Sequence, residues 1–220
     1  MMDIVILAKT PDALNVCWTA ARTCKSQHTP QELMERAKAT DADEKIRLMK
    51  ALLKARHESI FEHVSFSFAV SGVSRALLAQ FTRHRIGWSY SVQSQRFVKL
   101  IDARFVMPPG MHEIDLKDPI WIGASAGYII EDFVEDGVRV YERLLSMGVK
   151  PEDARMVLPM GGTACNLTAT CNLRAFMDFY RKRVLTKGAQ WEIRAMAERM
   201  AELITETEPW TAELFEELIE

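Results

Sequence analysis

Several features that would assign this chain of 220 residues to a familiar class are missing from it. No apolar run reaches the roughly 20 residues that cross a membrane, so no membrane partner is expected. The four cysteines form no CxxC pair and match no zinc spacing, which predicts reduced thiols. The first residues contain neither a basic leader nor a cleavage site. We therefore expect no signal peptide and a cytoplasmic location.

An excess of positive charge is also missing. The sequence has 28 basic and 30 acidic residues, for a formal net charge of −2. Dedicated nucleic-acid binders usually carry a basic excess, so no nucleic-acid partner is expected. Gly161-Gly162 lacks the further glycines and the lysine of a phosphate-binding loop. No cysteine has a base nearby in the sequence, which disfavours catalysis by a thiolate.

What the sequence does contain predicts an α+β fold in which helices outnumber strands. Hydrophobic residues make up 48% of the chain, enough for a sizeable core, and no linker interrupts it, so we expect a single domain over residues 1–220. Val64, Phe66, Phe68 and Val70 alternate with polar residues, as on one face of a strand. A long helix is predicted from 119 to 147.

The densest group of polar side chains lies in a stretch that is otherwise apolar and aromatic. Its members are Arg83, His84, Arg85, Ser94, Gln95 and Arg96. Arginine is costly to bury unless something pairs with it, and its guanidinium suits phosphate and heterocycle edges. The group therefore predicts the wall of a site for a phosphorylated ligand. The alternative is a set of structural arginines in a buried salt-bridge network.

The segment from His57 to His63 resembles a stretched zinc-protease motif. Its two histidines are six residues apart, which on a helix separates them by about 240° instead of placing them on one face. We therefore expect no metal site. A loop leading into a strand explains the pair equally well, and a ligand-binding role for His57 or Ser59 stays open.

A helix predicted from 172 to 185 carries a second candidate. At about 100° per residue, Asn172 and Arg183 lie within about 20° of each other, on the face of Phe176 and Phe179. Arg183 therefore ends an apolar stripe. It either extends to solvent or is a buried cation directed at a ligand.

Three further polar residues have weaker patterns. Arg174 and Asp178 are four residues apart on another face of the same helix and could pair with each other. Arg155 stands just ahead of an apolar run that ends in Pro159. A helix-terminal arginine would explain Arg155 without any function.

Taken in order, these segments resemble flavin-dependent thymidylate synthases, over roughly residues 55–98 and 150–195. The matching motifs are His57-Glu58-x-x-x-Glu62-His63, Ser74-Arg75-Ala76-x-x-x-Gln80, Arg83-His84-Arg85 with Ser94-x-Arg96, Ala154-Arg155-x-x-Leu158-Pro159, Asn172-x-Arg174 and Ala189-Gln190-Trp191-Glu192. Each motif is weak alone, but their common order is specific.

The resemblance implies a fold and an activity. The fold is a single α+β domain with a mostly antiparallel sheet flanked by helices. The activity is reductive methylation of dUMP to dTMP without a cysteine nucleophile. Methylenetetrahydrofolate supplies the carbon, reduced FAD supplies the hydride, and NADPH reduces the flavin. Family members are homotetramers whose active sites are shared between subunits.

The resemblance also implies residue roles. Arg183 would be catalytic, stabilising the uracil ionised at N3. The residues that would hold dUMP are Gln80, Arg83, Ser94, Gln95, Arg96, Arg155 and Arg183. The residues that would contact FAD are Ser59, Arg83, His84, Arg85, Asn172, Arg174 and Asp178, with His57 near the flavin and the folate.

The chain departs from the family pattern at three points. The loop between Arg85 and Ser94 is one residue longer than usual, so a bulge or longer loop is expected. Val92 stands where the family usually has Glu or Gln. Either Gln93 substitutes for it, or one ligand hydrogen bond is lost. Asp178 stands where the family often has Asn.

Three other functions remain open. A relative of the same fold could methylate UMP or another pyrimidine nucleotide. A nucleotide- or RNA-binding module could use the arginines without catalysis, although the net negative charge argues against it. A metal-dependent hydrolase on His57 and His63 is disfavoured by their spacing.

Overall fold

The computed structural model describes residues 2–98, 105–116 and 123–219, which contain four strands, nine α-helices and several shorter 3₁₀ and π-helical turns. The strands are β1 (Asp3–Lys9), β2 (Ser65–Ser74), β3 (Trp88–Val92) and β4 (Ala164–Asn172). The helices are α1 (Ala13–Thr23), α2 (Pro30–Ala39), α3 (Ala42–Lys54), α4 (Arg75–Phe81), α5 (Ala126–Ser146), α6 (Pro151–Ala154), α7 (Leu173–Tyr180), α8 (Trp191–Thr207) and α9 (Ala212–Ile219).

The strands form one sheet in the order β1-β2-β4-β3. The amide of Thr10 donates to the carbonyl of Ser65 at 3.0 Å, and the hydroxyl of Ser71 donates to the carbonyl of Asp3 at 3.5 Å. The start of β2 therefore lies beside the end of β1, as in an antiparallel pair. The predicted α+β fold, an antiparallel sheet flanked by helices, is confirmed.

The contacts within the chain group it into two compact units. The first unit comprises Met1–Asp3, Ser71–Gln80 and Val92–Leu167. The second unit comprises Ile4–Val70, Phe81–Ser91 and Thr168–Glu220. A single domain over residues 1–220 stays a prediction. None of the helices in the described ranges combines the length and hydropathy that a membrane crossing requires.

The alternating pattern predicted for β2 is confirmed by burial. Val64, Phe66 and Phe68 are fully buried, and Val70 is nearly so. The predicted helix from 119 to 147 begins later than expected, at Ala126. The hydroxyl of Ser125 accepts a hydrogen bond from the Tyr128 amide at 3.2 Å and so caps the first turn. Residues 119–122 of that prediction lie outside the described residues.

The core of the second unit is an aromatic cluster centred on Phe179. Its ring lies 5.2 Å from that of Phe81, 5.5 Å from Trp88 and 6.1 Å from Phe176, measured between centroids. The imidazole of His84 meets the same ring edge-on at 4.8 Å. These distances are typical of favourable aromatic pairs. Phe179 therefore couples α7 to the loop that follows α4.

Replacing Phe179 should destabilise the second unit strongly. Phe179→Ala removes a fully buried ring, and we expect a loss of about 3–5 kcal/mol in the free energy of unfolding. Phe133→Ala is the matched control, because Phe133 is 63% exposed and its loss should change stability by about 0.5 kcal/mol or less. Urea denaturation measures both. Equal effects of the two substitutions would contradict this account of the core.

Candidate functional site

The loop between α4 and β3 is fixed by one tyrosine and one glycine. The Tyr90 hydroxyl donates to the carbonyl of His84 at 2.6 Å and lies 3.1 Å from the carbonyl of Phe81. Burial raises the pKa of Tyr90, so this hydroxyl keeps its proton. Gly87 has a φ of 72°, a conformation that glycine adopts easily. The Arg-His-Arg motif therefore lies on a constrained loop.

Arg183 is placed by a wide helical turn instead of a continuous α-helix. The segment Arg181–Leu185 is a π-helix, in which the Thr186 amide donates to the Arg181 carbonyl at 3.1 Å. Asn172 is the N-cap of α7 and not part of its body. The helix predicted from 172 to 185 is therefore not one continuous α-helix, which the predicted angle of about 20° between Asn172 and Arg183 assumed. The predicted burial of Phe176 and Phe179 is confirmed.

The three consecutive cations of this turn have different partners. Arg181 pairs with Glu58 at 2.9 Å, and Lys182 pairs with Asp178 at 2.7 Å. The Nε of Arg183 instead donates to Nε2 of His84 at 3.0 Å. Two of the three side chains are therefore held by carboxylates, and the third by an imidazole.

That imidazole is neutral at physiological pH. The pKa of His84 is lowered to about 4, first by burial and then by the positive charge of Arg183. The hydrogen bond therefore orients the guanidinium without cancelling its charge. The pKa of Arg183 is itself lowered, by burial and by the nearby Arg83. The half-buried Arg183 and the exposed Arg83 lie close together, and two neighbouring cations favour the binding of an anion.

Arg183 opens onto a cavity of about 620 Å³ in the second unit. Its lining residues are Arg83, His84, Arg85, Ile86, Trp88, Asp178, Lys182 and Arg183. Four of these are cationic and one is a carboxylate. Within the described residues, neither Arg83 nor Arg85 pairs with a carboxylate. We call this the basic cavity.

A second cavity of about 420 Å³ shares part of that wall. Its lining residues are Glu58, Glu62, Ile86, Gly87, Asn172, Arg174, Ala175, Asp178, Arg181 and Lys182. Its three basic and three acidic side chains balance, so we call it the neutral cavity. Ile86, Asp178 and Lys182 line both cavities.

The pairing predicted between Arg174 and Asp178 is wrong. Arg174 instead pairs with Glu62 and lies 3.9 Å from Glu58, while Asp178 binds Lys182. The carboxylates of Glu58 and Glu62 come from a distant part of the sequence, so helical spacing could not reveal them. The charged lining residues that sequence reasoning missed are Glu58, Glu62, Arg181 and Lys182. For Lys182, its spacing four residues after Asp178 was an available signal.

The other predicted substrate residues belong to the first unit. They are Gln80, Ser94, Gln95, Arg96 and Arg155. Arg96 pairs with Glu152 at 2.7 Å, and the Nε of Arg155 donates to the Glu152 carbonyl at 3.0 Å. Gln95 is 3% exposed, and neither polar atom of its side-chain amide has a hydrogen-bond partner in the part of the chain that the structure describes.

Gln93, considered as a substitute at the Val92 position, is attached to β4. Its side-chain oxygen accepts from the Asn166 amide group at 3.1 Å, and its backbone amide donates to the Asn166 carbonyl at 2.9 Å. Val92 is the last residue of β3. Holding the Gln93 oxygen in the sheet leaves its amide nitrogen as the group that could meet a ligand.

His57 and Ser59 are exposed and line neither of these two cavities. Ser59 and His63 belong to a 3₁₀ helix, Glu58–His63, that leads into β2. Across the ranges described above, no cluster of three or more histidine, cysteine or acidic residues could hold a metal ion.

Two cysteines of the second unit, Cys17 and Cys171, are buried. Cys17 is buried, and burial raises its pKa to about 12. Burial also raises the pKa of Cys171 well above its usual value. Thiols with raised pKa values are poor nucleophiles at neutral pH, because little thiolate is present.

An arginine-lined cavity beside an aromatic cluster, on an α+β fold, is suited to an anionic ligand with a ring, such as a nucleotide. The profile of the family described as thymidylate synthase complementing protein matches residues 5–210. The chain therefore belongs to the flavin-dependent thymidylate synthase family, and the family predicted from its motifs is confirmed.

Individual relatives agree with that assignment. A flavin-dependent thymidylate synthase of Haloarcula marismortui is 36% identical over 98% of this chain and 96% of the relative. One of Clostridium tetani is 34% identical over 94% and 84%. Among solved structures, the UMP/dUMP methylase PolB from Streptomyces cacaoi, bound with 5-Br dUMP, superposes with a TM-score of 0.79. It is 27% identical over 98% of this chain and 94% of that chain.

Adding a side chain at Gly87 should disturb the wall of the neutral cavity. An alanine Cβ there would lie 2.7 Å from the Ala175 Cβ, and its φ of 72° is strained for any other residue. We expect Gly87→Ala to lower the free energy of unfolding by about 1–2 kcal/mol or more. Gly161→Ala is the control, because nothing lies within 4 Å of its added Cβ. Chemical denaturation compares them, and an unchanged Gly87→Ala midpoint would contradict the packing described here.

Proposed function

We propose that this protein converts dUMP to dTMP, with methylenetetrahydrofolate as the carbon donor and reduced FAD as the hydride donor. NADPH would reduce the flavin. The active form would be a cytoplasmic homotetramer with active sites shared between subunits. The observation that carries the proposal is the half-buried Arg183, whose guanidinium is held by a neutral imidazole in the basic cavity. Family membership supports the substrate and the cofactor.

The residues of the two cavities fit FAD in their chemistry. A pyrophosphate carries negative charge, and Arg83 and Arg85, which pair with no carboxylate among the described residues, supply forked donors for it. The exposed Ile86 and the aromatic Trp88 offer apolar surface to a ring. In the neutral cavity, Asn172 and Arg174 add polar groups of the kind that fix orientation. His57 and Ser59 line neither cavity, so they would contact the cofactor or the folate only in a site completed by residues outside these two cavities.

The role proposed for Arg183 is electrostatic. Its guanidinium would stabilise the uracil ring ionised at N3, which makes C5 nucleophilic. A positive charge stabilises such an anion most where water is scarce, and Arg183 is half-buried. Bound FAD would supply the hydride after the carbon unit is transferred. No thiolate is needed, which agrees with the raised pKa values of Cys17 and Cys171.

The phosphate of dUMP is assigned to arginines of the first unit. We propose that it is bound by Arg96 and Arg155 together with Gln80, Ser94 and Gln95, which in a tetramer with shared active sites need not belong to the subunit that supplies Arg183. Arg96 would then exchange Glu152 for the phosphate. The pKa of Glu152 is lowered by its hydrogen bond with Arg96, so the carboxylate is ionised in the absence of substrate.

Methylation of UMP is the second candidate. The solved neighbour is by its title a UMP/dUMP methylase, and Val92 replaces the residue that the family usually uses for a hydrogen bond. Turnover of dUMP and UMP at equal concentration would decide between the two substrates. A clear preference for UMP would replace dUMP as the proposed substrate.

Removing the Arg183 guanidinium should stop the reaction without removing the cofactor. We expect Arg183→Ala to lower the rate of dTMP formation by about 10²- to 10³-fold, as the loss of a single stabilising donor does in other enzymes. FAD should stay bound, because Arg183 is assigned to the uracil. Flavin absorbance and a dTMP assay measure the two effects.

Arg199→Ala is the control for this experiment. Arg199 lies on α8 and pairs with Glu202 and Glu206 at the surface, so its removal should leave both cofactor and rate unchanged. Near-normal dTMP formation by Arg183→Ala would show that the proposed role of Arg183 is wrong.

A further inference from the structure

His84 is held in place from three sides. Its backbone carbonyl accepts the Tyr90 hydroxyl at 2.6 Å. Its ring meets the buried Phe179 edge-on at 4.8 Å. Its Nε2 accepts the Nε–H of Arg183 at 3.0 Å. A neutral imidazole that accepts at Nε2 carries its proton on Nδ1, so the tautomer is fixed by the same contact.

The charged groups around His84 keep it neutral. Burial lowers the pKa of His84 most, and the positive charges of Arg183, Lys182 and Arg83 lower it further. The negative charge of Asp178 raises that pKa, but the net result is a lowered value. A proton on Nε2 would remove the acceptor and place a further cation beside Arg183.

A neutral imidazole can orient an arginine without offsetting its positive charge, whereas a carboxylate does both. A free arginine side chain has many rotamers, so an enzyme gains when the guanidinium is oriented before its substrate arrives. Glu58 and Asp178 orient the neighbouring Arg181 and Lys182, but they also offset their charges. The imidazole of His84 orients Arg183 and adds no negative charge of its own.

We propose that His84 is a positioning residue, whose neutral Nε2 holds the Arg183 guanidinium in its working orientation without cancelling its charge. This inference rests on the proposed function, because it assigns the oriented charge to a pyrimidine nucleotide. His84 thereby acts through Arg183, in addition to any contact with the cofactor.

Three substitutions at one position separate orientation from charge. His84→Gln keeps a neutral acceptor, His84→Leu removes the acceptor, and His84→Glu keeps an acceptor but adds a negative charge. We expect Leu and Glu to lower kcat by about 10- to 100-fold, the worth of a hydrogen bond to a charged group, while Gln retains most of the activity. FAD binding and thermal unfolding are measured for each, so that kcat is compared among folded, flavin-loaded proteins.

If His84 acts through Arg183, removing the imidazole should have no effect on dUMP binding once Arg183 is absent. His84→Leu should weaken dUMP binding in the wild-type background and cause no further loss in the Arg183→Ala background, as expected for coupled residues. Equal losses in both backgrounds would overturn the inference, as would a Gln variant no better than Leu or a Glu variant as active as Gln. If the wild-type flavoprotein binds no dUMP at all, the proposed function fails instead.

A nuclear magnetic resonance titration tests the contact without any substrate and covers the case of a misfolded variant. The chain has five histidines, and the signal lost in His84→Gln identifies His84. Its pKa should be about 4 in the wild type and should rise toward the ordinary value in Arg183→Ala. An unchanged pKa would show that the imidazole does not face Arg183 in solution, which overturns the inference.

Discussion

The hydrogen bond from Arg183 to the neutral imidazole of His84 is the interaction on which the proposed active site depends. It joins the π-helical turn after α7 to the Arg-His-Arg loop after α4, so both walls of the basic cavity meet at this contact. The surrounding residues hold the two partners of this hydrogen bond in place. Tyr90 clamps the loop, and the buried ring of Phe179 supports the imidazole. Loss of this geometry would leave a set of arginines without a defined direction.

The two cavities near this contact differ in charge: basic residues outnumber acidic ones in the basic cavity, and the two kinds are equal in number in the neutral cavity. Carboxylates balance the cations of the neutral cavity, where Glu58 contacts both Arg181 and Arg174. In the basic cavity, Arg83 lies close enough to Arg183 for its positive charge to lower the pKa of Arg183. An anionic ligand relieves such repulsion, and a nucleotide or a dinucleotide cofactor is a ligand of that kind. Family membership identifies dUMP and FAD as the ligands to test.

Much of this fold and part of this site could be predicted from local sequence. The alternation around Phe66 and Phe68 predicted a buried strand face, because side chains of a strand alternate between its two sides. The Arg-His-Arg motif marked the site because charged residues in an apolar stretch need a partner or a ligand. The π-helical turn at Arg183 could not be predicted, since it depends on tertiary packing. The carboxylates that hold Arg174 come from residues more than a hundred positions away, beyond any helical spacing.

The most direct test of the central claim is the visible absorbance spectrum of the purified protein, recorded with FAD and again after dUMP is added. If one active site holds flavin and nucleotide together, the protein will bind FAD and the flavin bands will shift when dUMP enters. If no flavin binds with FAD and dUMP both in excess, the proposed synthase activity is contradicted, and the arginines of the basic cavity serve another anion.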